Sequence, residues 1–235
     1  MRTWKNQLSQ LRNELFAAAK RLGVCACGVA DAEFAQRIEP AAVEHLAGRL
    51  SRAFVVAVRL QDAVIDSLVD RPTPLYFHHY RQANYALDRI AFDLSSLLME
   101  RGHAAAAVPA SQLVSLVPPL GHLSHRVLGW AAGIGWIGRS RLLVHPRFGA
   151  RLRLATILTD APLEPSGPLE MDCGDCADCI AACPALAIKS SSRDYDLDAC
   201  YRKLEEFRRL PFIGQHICGL CVKACGGPRW TRRSP

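Results

Sequence analysis

No apolar run in this sequence approaches the roughly 20 residues that a bilayer-crossing helix needs, so no association with a membrane is expected. Arg2 and Lys5 lie within the first ten residues, but neither an apolar core nor a cleavage site follows them, and the start does not read as a signal peptide. Internal repeats are missing too, apart from two cysteine clusters. A cytoplasmic protein is the expectation. With 235 residues, 50% of them hydrophobic, the chain is long enough for one large domain, or for a medium domain with a small appendage.

Cysteine, by contrast, is abundant. There are ten, and eight fall between Cys173 and Cys225. In a small secreted chain such a count would suggest a disulfide framework. Here the spacings are those of metal ligands, which suits a reducing compartment. Cys173, Cys176, Cys179, Cys183 and Pro184 spell C-x2-C-x2-C-x3-C-P, the pattern of bacterial ferredoxins. In that pattern the first three cysteines each hold one corner of a cubane 4Fe–4S cluster and the fourth crosses to a second cluster. The short spacing lets a tight loop wrap the cluster and aim backbone N–H groups at its sulfurs. Pro184 is expected to turn the chain away and start a helix. Zinc is the competing metal, although zinc sites usually pair two C-x2-C knuckles rather than string four cysteines in one run.

The second motif is stretched: Cys200 stands alone and Cys218, Cys221 and Cys225 follow, with Gly226 and Gly227 and no proline directly after Cys225. If the ferredoxin cross-over applies, Cys173, Cys176, Cys179 and Cys225 hold one cluster. Cys183, Cys200, Cys218 and Cys221 then hold the other. The formal charge is 29 − 22 = +7. Two oxidised clusters on eight thiolates bring about −2 each, leaving about +3. The arginines therefore read as a solvated surface before they read as a nucleic-acid site. Cys25 and Cys27, two apart on an expected strand, share one face and read first as small buried hydrophobes.

Apolar positions at Leu8, Leu11, Leu15, Phe16, Ala19 and Leu22 have helical spacing, and Gly23 stops the run. Val24 to Ala30 reads as a strand, Pro40 opens a short helix ending near Gly48, and Ala53 to Val58 reads as a strand buried on both faces. The longest helix is expected over Tyr80 to Glu100, with Gly102 ending it. Further strands are expected at Ala104 to Val108, Leu142 to Val144 and Leu152 to Leu158. The Pro- and Gly-rich stretch Ala161 to Met171 reads as a linker. The fold expected is α+β: an N-terminal α/β sandwich domain over 1–165 and a ferredoxin-like double-cluster domain over 166–235.

One further set of motifs connects these elements. Ala132-Gly133-Ile134-Gly135-Trp136-Ile137-Gly138-Arg139-Ser140 is followed by Phe148-Gly149, by Leu158-Thr159-Asp160 and then by the cysteine ladder. This order resembles the epoxyqueuosine reductase family, cobalamin-dependent enzymes related in domain plan to the reductive dehalogenases. The resemblance covers residues 125 to 225, and more loosely Leu22 to Asp31. It implies a corrinoid held between the α/β domain and the clusters. Electrons would pass from a donor such as ferredoxin or flavodoxin through both clusters to cobalt. It also implies that Gly133, Gly135, Trp136, Ile137, Gly138, Arg139 and Ser140 line the corrinoid pocket, the glycines letting backbone approach a flat macrocycle. A tight, packed loop with Trp130 and Trp136 as core is the alternative.

Several positions depart from that family. Its proposed proton donor, an aspartate, falls at Pro119 on a gap-free count back from Gly133. Its glutamate falls near His125, and Arg139 replaces the usual lysine. The helical-repeat tail with which long members hold tRNA does not follow before Pro235. Reducing an epoxide needs a proton for the leaving oxygen, so the catalytic residue is unassigned. His122 and His125 are the candidates, since histidine titrates near neutrality; a solvated loop histidine or a satisfied core histidine is the plainer reading of either. Asp160 suits a cap or turn as well as a site, and His78 and His79 are placed just before the long helix.

The expected function is an iron–sulfur oxidoreductase that passes electrons through two clusters to a corrinoid and a substrate the sequence does not name. The alternative is a non-catalytic ferredoxin-like carrier serving a partner enzyme. A third reading, tRNA binding through the basic tail Arg229-Trp230-Thr231-Arg232-Arg233, should weaken steeply with salt, but short basic tails are commonly disordered.

Overall fold

The computed structural model describes residues 2–38, 49–116 and 119–226. The helix expected from Pro40 to Gly48 and the basic tail at 229–233 lie outside them.

In chain order the elements are α1 (Arg2–Arg21), β1 (Ala26–Asp31), α2 (Ala32–Ile38), β2 (Arg52–Arg59), α3 (Asp62–Asp66), α4 (Pro74–Glu100), β3 (Ala105–Val108), β4 (Leu113–Leu116), β5 (Pro119–Gly121), α5 (His125–Ala131), β6 (Trp136–Ile137), β7 (Leu143–Val144), β8 (Leu152–Thr159), α6 (Asp178–Ala181), α7 (Leu197–Arg208) and α8 (Leu220–Ala224). Mixed helix and sheet is thus the observed class. No helix among the described residues is long and apolar enough to cross a membrane.

The chain divides into two compact units, each built from separated segments. Residues 1–58, 84–134 and 153–169 form the first, and residues 59–83, 135–152 and 170–235 the second. Two earlier segments thus pack with the cysteine region in the second unit.

The first unit carries a four-stranded sheet in the order β1-β2-β8-β3. β1 pairs antiparallel with β2, Ala26 opposite Ala57, and β3 antiparallel with β8, Ala105 opposite Thr159. Ala53 to Ala57 is fully buried, as the continuous apolar run requires of a strand covered on both faces. Leu11 and Leu15 from α1 and Leu87, Leu94 and Leu98 from α4 meet Phe54, Val56 and Ile157 from the sheet in one core. Truncating such a buried leucine to alanine costs about 2–5 kcal/mol. Helices α2 and α5 pack on β1. Asp31 accepts a hydrogen bond from the N–H of Phe34 at 2.9 Å and so caps α2.

Helix α4 starts earlier than its apolar periodicity suggests. Thr73 Oγ1 accepts from the N–H of Tyr76 at 3.1 Å, and Pro74 occupies the first helical position, where its missing N–H costs nothing. His78 and His79 thus lie inside the helix, not before it. The helix expected after Pro184 does not form. Leu186 has a left-handed φ of 52°, which ends the turn begun at Cys183.

Candidate cofactor site

The cysteines of the second unit are held by short loops and helix ends. Asp172 Oδ1 accepts from the N–H of Gly174 at 2.7 Å, and the N–H of Cys176 donates to the carbonyl of Cys173 at 3.1 Å. Together these close the first loop as a tight turn. Cys179 follows in α6, and Cys183 comes just after it. Asp196 caps α7 through the N–H of Ala199 at 2.8 Å, placing Cys200 in the first helical turn. Cys221 and Cys225 come from α8 and its end, where the N–H of Ala150 donates to the carbonyl of Cys225 at 3.1 Å.

This arrangement places several of these thiols near one another. Burial pushes the Cys179 thiol up to about 11, and Cys225, Cys173 and Cys176 lie close enough to push it further. Burial, then Cys218, Cys200, Cys183 and Cys179, raise the thiol of Cys221. Cys218 is pushed up to about 11 by burial, partly offset by the N–H of Leu220, and then feels Cys200 and Cys183. Cys179 thus feels Cys225, Cys173 and Cys176, and Cys221 feels Cys218, Cys200, Cys183 and Cys179.

The donor set fits two iron–sulfur cubanes. Four irons per cluster each take a different cysteine, so the four sulfurs surround a volume instead of meeting at a point. Among the described residues no three His, Cys, Asp or Glu side chains converge as one metal ion requires. The N–H of Ala187 donates to Cys183 Sγ at 3.3 Å, and Tyr195 lies near Cys200, where it partly offsets the upward push of burial on that thiol. No sequence motif pointed to Tyr195; its partner is fixed only by the fold.

The segment from Gly133 to Ser140 is packed against the chain itself. Gly133 has φ +71°, and a Cβ there would stand 2.6 Å from the carbonyl of Gly167 in the first unit. A Cβ on Gly135 would fall 2.1 Å from the carbonyl of Val144, the residue that pairs with Trp136 across β6 and β7. On Gly138 it would meet Val144 Cγ2 at 2.7 Å and Cys173 Sγ at 3.4 Å. The chain's own close approaches account for all three glycines, so they do not by themselves argue for a macrocycle. Ile137 pairs with Leu143, and Trp136 and Ser140 are buried. The indole Nε1 of Trp136 is buried without a hydrogen-bond partner. That orphaned donor is the feature of the segment that fits a bound group with acceptors, whether a cluster sulfur or a corrinoid amide. Arg139 reaches the first cysteine loop: Nε donates to the carbonyl of Ser190 at 2.7 Å, Nη2 to that of Gly174 at 2.8 Å, and Nη1 to that of Cys176.

The remaining candidates separate. His125 keeps some accessible surface, but both ring nitrogens are engaged within the first unit. Nδ1 lies 2.9 Å from Thr156 Oγ1 and Nε2 3.0 Å from the carbonyl of Pro109. Burial lowers its pKa to about 4, so at neutral pH it is an uncharged, satisfied histidine and a poor acid. His122 is exposed. Asp160 Oδ1 accepts from the N–H of Ala104 at 2.9 Å and joins β8 to the start of β3. His79 Nε2 accepts from the N–H of Gln61 at 3.1 Å. Cys25 precedes β1 and donates through Sγ to the carbonyl of Ala57 at 3.3 Å. Cys27 packs against the core, and burial pushes its thiol up to about 11. Both behave as structural cysteines.

No protein-family profile matches the chain. An epoxyqueuosine reductase from Bacillus anthracis is 37% identical over 128 residues, which cover 50% of this chain and 33% of that protein. A solved epoxyqueuosine reductase carrying an epoxyqueuosine-modified tRNA-Tyr stem loop superposes with a TM-score of 0.62 at 21% identity, over 93% of this chain and 65% of that one. A reductive dehalogenase whose structure suggests a mechanism for B12-dependent dehalogenation superposes with a TM-score of 0.70 at 19% identity, over 90% of this chain and 30% of that one. The chain spans about a third of the length of the curated relatives it matches. The chain is thus similar in sequence over half its length to epoxyqueuosine reductases, and similar in fold over nine-tenths of it to an epoxyqueuosine reductase and a reductive dehalogenase.

Proposed function

We propose that this chain is an iron–sulfur oxidoreductase that passes electrons through two 4Fe–4S clusters to a corrinoid and a substrate. The reading is supported by the ferredoxin-type spacing of the cysteines together with the mutual influence of Cys173, Cys176, Cys179 and Cys225 and of Cys183, Cys200, Cys218 and Cys221. When bound, the clusters supply one-electron storage at potentials set by charge, burial and hydrogen bonds to sulfur. The chain's own residues supply the thiolates. Ala187 donates a hydrogen bond to the sulfur of Cys183, and Tyr195 lies near Cys200.

The relatives support redox chemistry, and the likeness to a B12-linked dehalogenase supports a corrinoid. A ferredoxin or flavodoxin is the proposed donor and the cytoplasm the proposed compartment. An epoxide on tRNA is the substrate class suggested by the relative bound to a stem loop. For such a substrate the proton source is open. Pro119 carries no acid, and His125 is tied into the first unit, so His122 is the remaining candidate of the two histidines. Anaerobic reconstitution, chemical reduction and addition of cobalamin test the reading: a shift of the corrinoid spectrum on mixing is expected, and an unchanged spectrum removes the corrinoid.

The same observations about His125 and the self-packed glycines favour a second reading, an electron carrier that delivers to a partner enzyme. It predicts reducible clusters together with no corrinoid binding.

A further inference from the structure

The side chain of Arg139 ends in three donors, and each meets a backbone carbonyl of the second unit: Ser190 through Nε, Gly174 through Nη2 and Cys176 through Nη1. Two of these carbonyls belong to the loop that carries Cys173 and Cys176, and the third to the chain beyond Cys183. The residue before it, Gly138, faces Cys173 Sγ. We infer that Arg139 is a positioning residue, the clasp of the first cysteine loop, and that its fixed positive charge tunes the first cluster, a role that rests on the cluster reading above.

The physics follows from the peptide plane. N–H and C=O point opposite ways across a trans peptide. Carbonyls of Gly174 and Cys176 held by the guanidinium therefore turn the N–H groups of Asp175 and Ala177 away from Arg139. N–H dipoles and a nearby cation both favour the more negative, reduced state of a cluster. Lysine cannot substitute for this. Its ammonium is a point donor on a flexible stem, whereas the guanidinium is a rigid fork that spans three acceptors in two segments.

The test compares the full chain with Arg139→Gln and Arg139→Lys. Hydrogen exchange over residues 173–190 should quicken roughly tenfold in Arg139→Gln, the change expected for losing one charge-assisted hydrogen bond. The faster exchange should appear in both cluster-loaded and cluster-stripped protein. In loaded protein the potential of the first cluster, identified as the paramagnetic signal that Cys179→Ser abolishes, should move negative while the second stays in place. Arg139→Lys should show the faster exchange with a smaller potential shift, and it serves in the comparison if Arg139→Gln does not fold. Unchanged exchange and unchanged potential overturn the inference. A parent chain that binds no iron defeats the proposed function instead, and exchange in the stripped protein still decides whether Arg139 is a clasp.

Discussion

The first unit closes around aliphatic side chains, whereas the second gathers thiols. Leu15, Phe54, Leu87, Leu94, Leu98 and Ile157 interlock in the first with almost no accessible surface. In the second, α7 buries none of its residues, and the most heavily desolvated groups include Cys218 and Cys221. Hydrophobic burial is proportional to area and indifferent to what is bound. Metal-ligand energy enters folding only when the metal is present. The first unit should thus keep its order without iron, and the second should depend on it.

The largest effects should come from breaking the thiol sets one at a time. Cys179→Ser should remove about four irons per chain, and Cys200→Ser the other set of about four, while the far-ultraviolet signature of the first unit persists. Iron and labile sulfide counts check this; loss of both clusters from either variant would mean that the sets are not independent. In the other direction, Leu94→Ala should lower the stability of the first unit by about 2–5 kcal/mol and leave the iron count unchanged, as read by denaturant unfolding beside metal analysis. A pH series gives a smaller effect. The folded pKa of His125, about 4, lies below the unfolded value of 6.5, so the unfolded chain takes up the proton first. Its contribution is complete above pH 6.5 and is lost as the pH falls from there toward 4, by no more than roughly 3 kcal/mol. His125→Asn should flatten that slope. Least affected should be Arg89→Ala, which removes an exposed pair with Asp93 at 3.1 Å. Its cost should stay within about 0.5 kcal/mol.

The contrast also separates what was legible in the sequence. The first cysteine motif is nearly contiguous from Cys173 to Pro184 and so is read directly. The second depended on a spacing rule, because Cys200 and Cys218 are separated by α7. In the first unit, Ala53 to Val58 and the α4 periodicity announced themselves through apolar pattern. The start of α4 did not, because Thr73 and Pro74 set it by capping and not by hydrophobicity. Helix α5 was hidden by Gly129 and its histidine- and tryptophan-rich surroundings, although Val127, Leu128 and Ala131 bury one face. Helix α2 carried a usable signal in Asp31, which doubles as the end of β1. The engagement of His125 with Thr156 and Pro109, the reach of Arg139 to Gly174, Cys176 and Ser190, and the interleaving of the two units are tertiary. None of these leaves a local trace in composition or period.

Counting iron and acid-labile sulfide in anaerobically purified protein tests most directly whether the cysteines hold two iron–sulfur cubanes. About eight of each per chain is the expected result. About four would leave only one set occupied, and zinc without sulfide would contradict the account altogether.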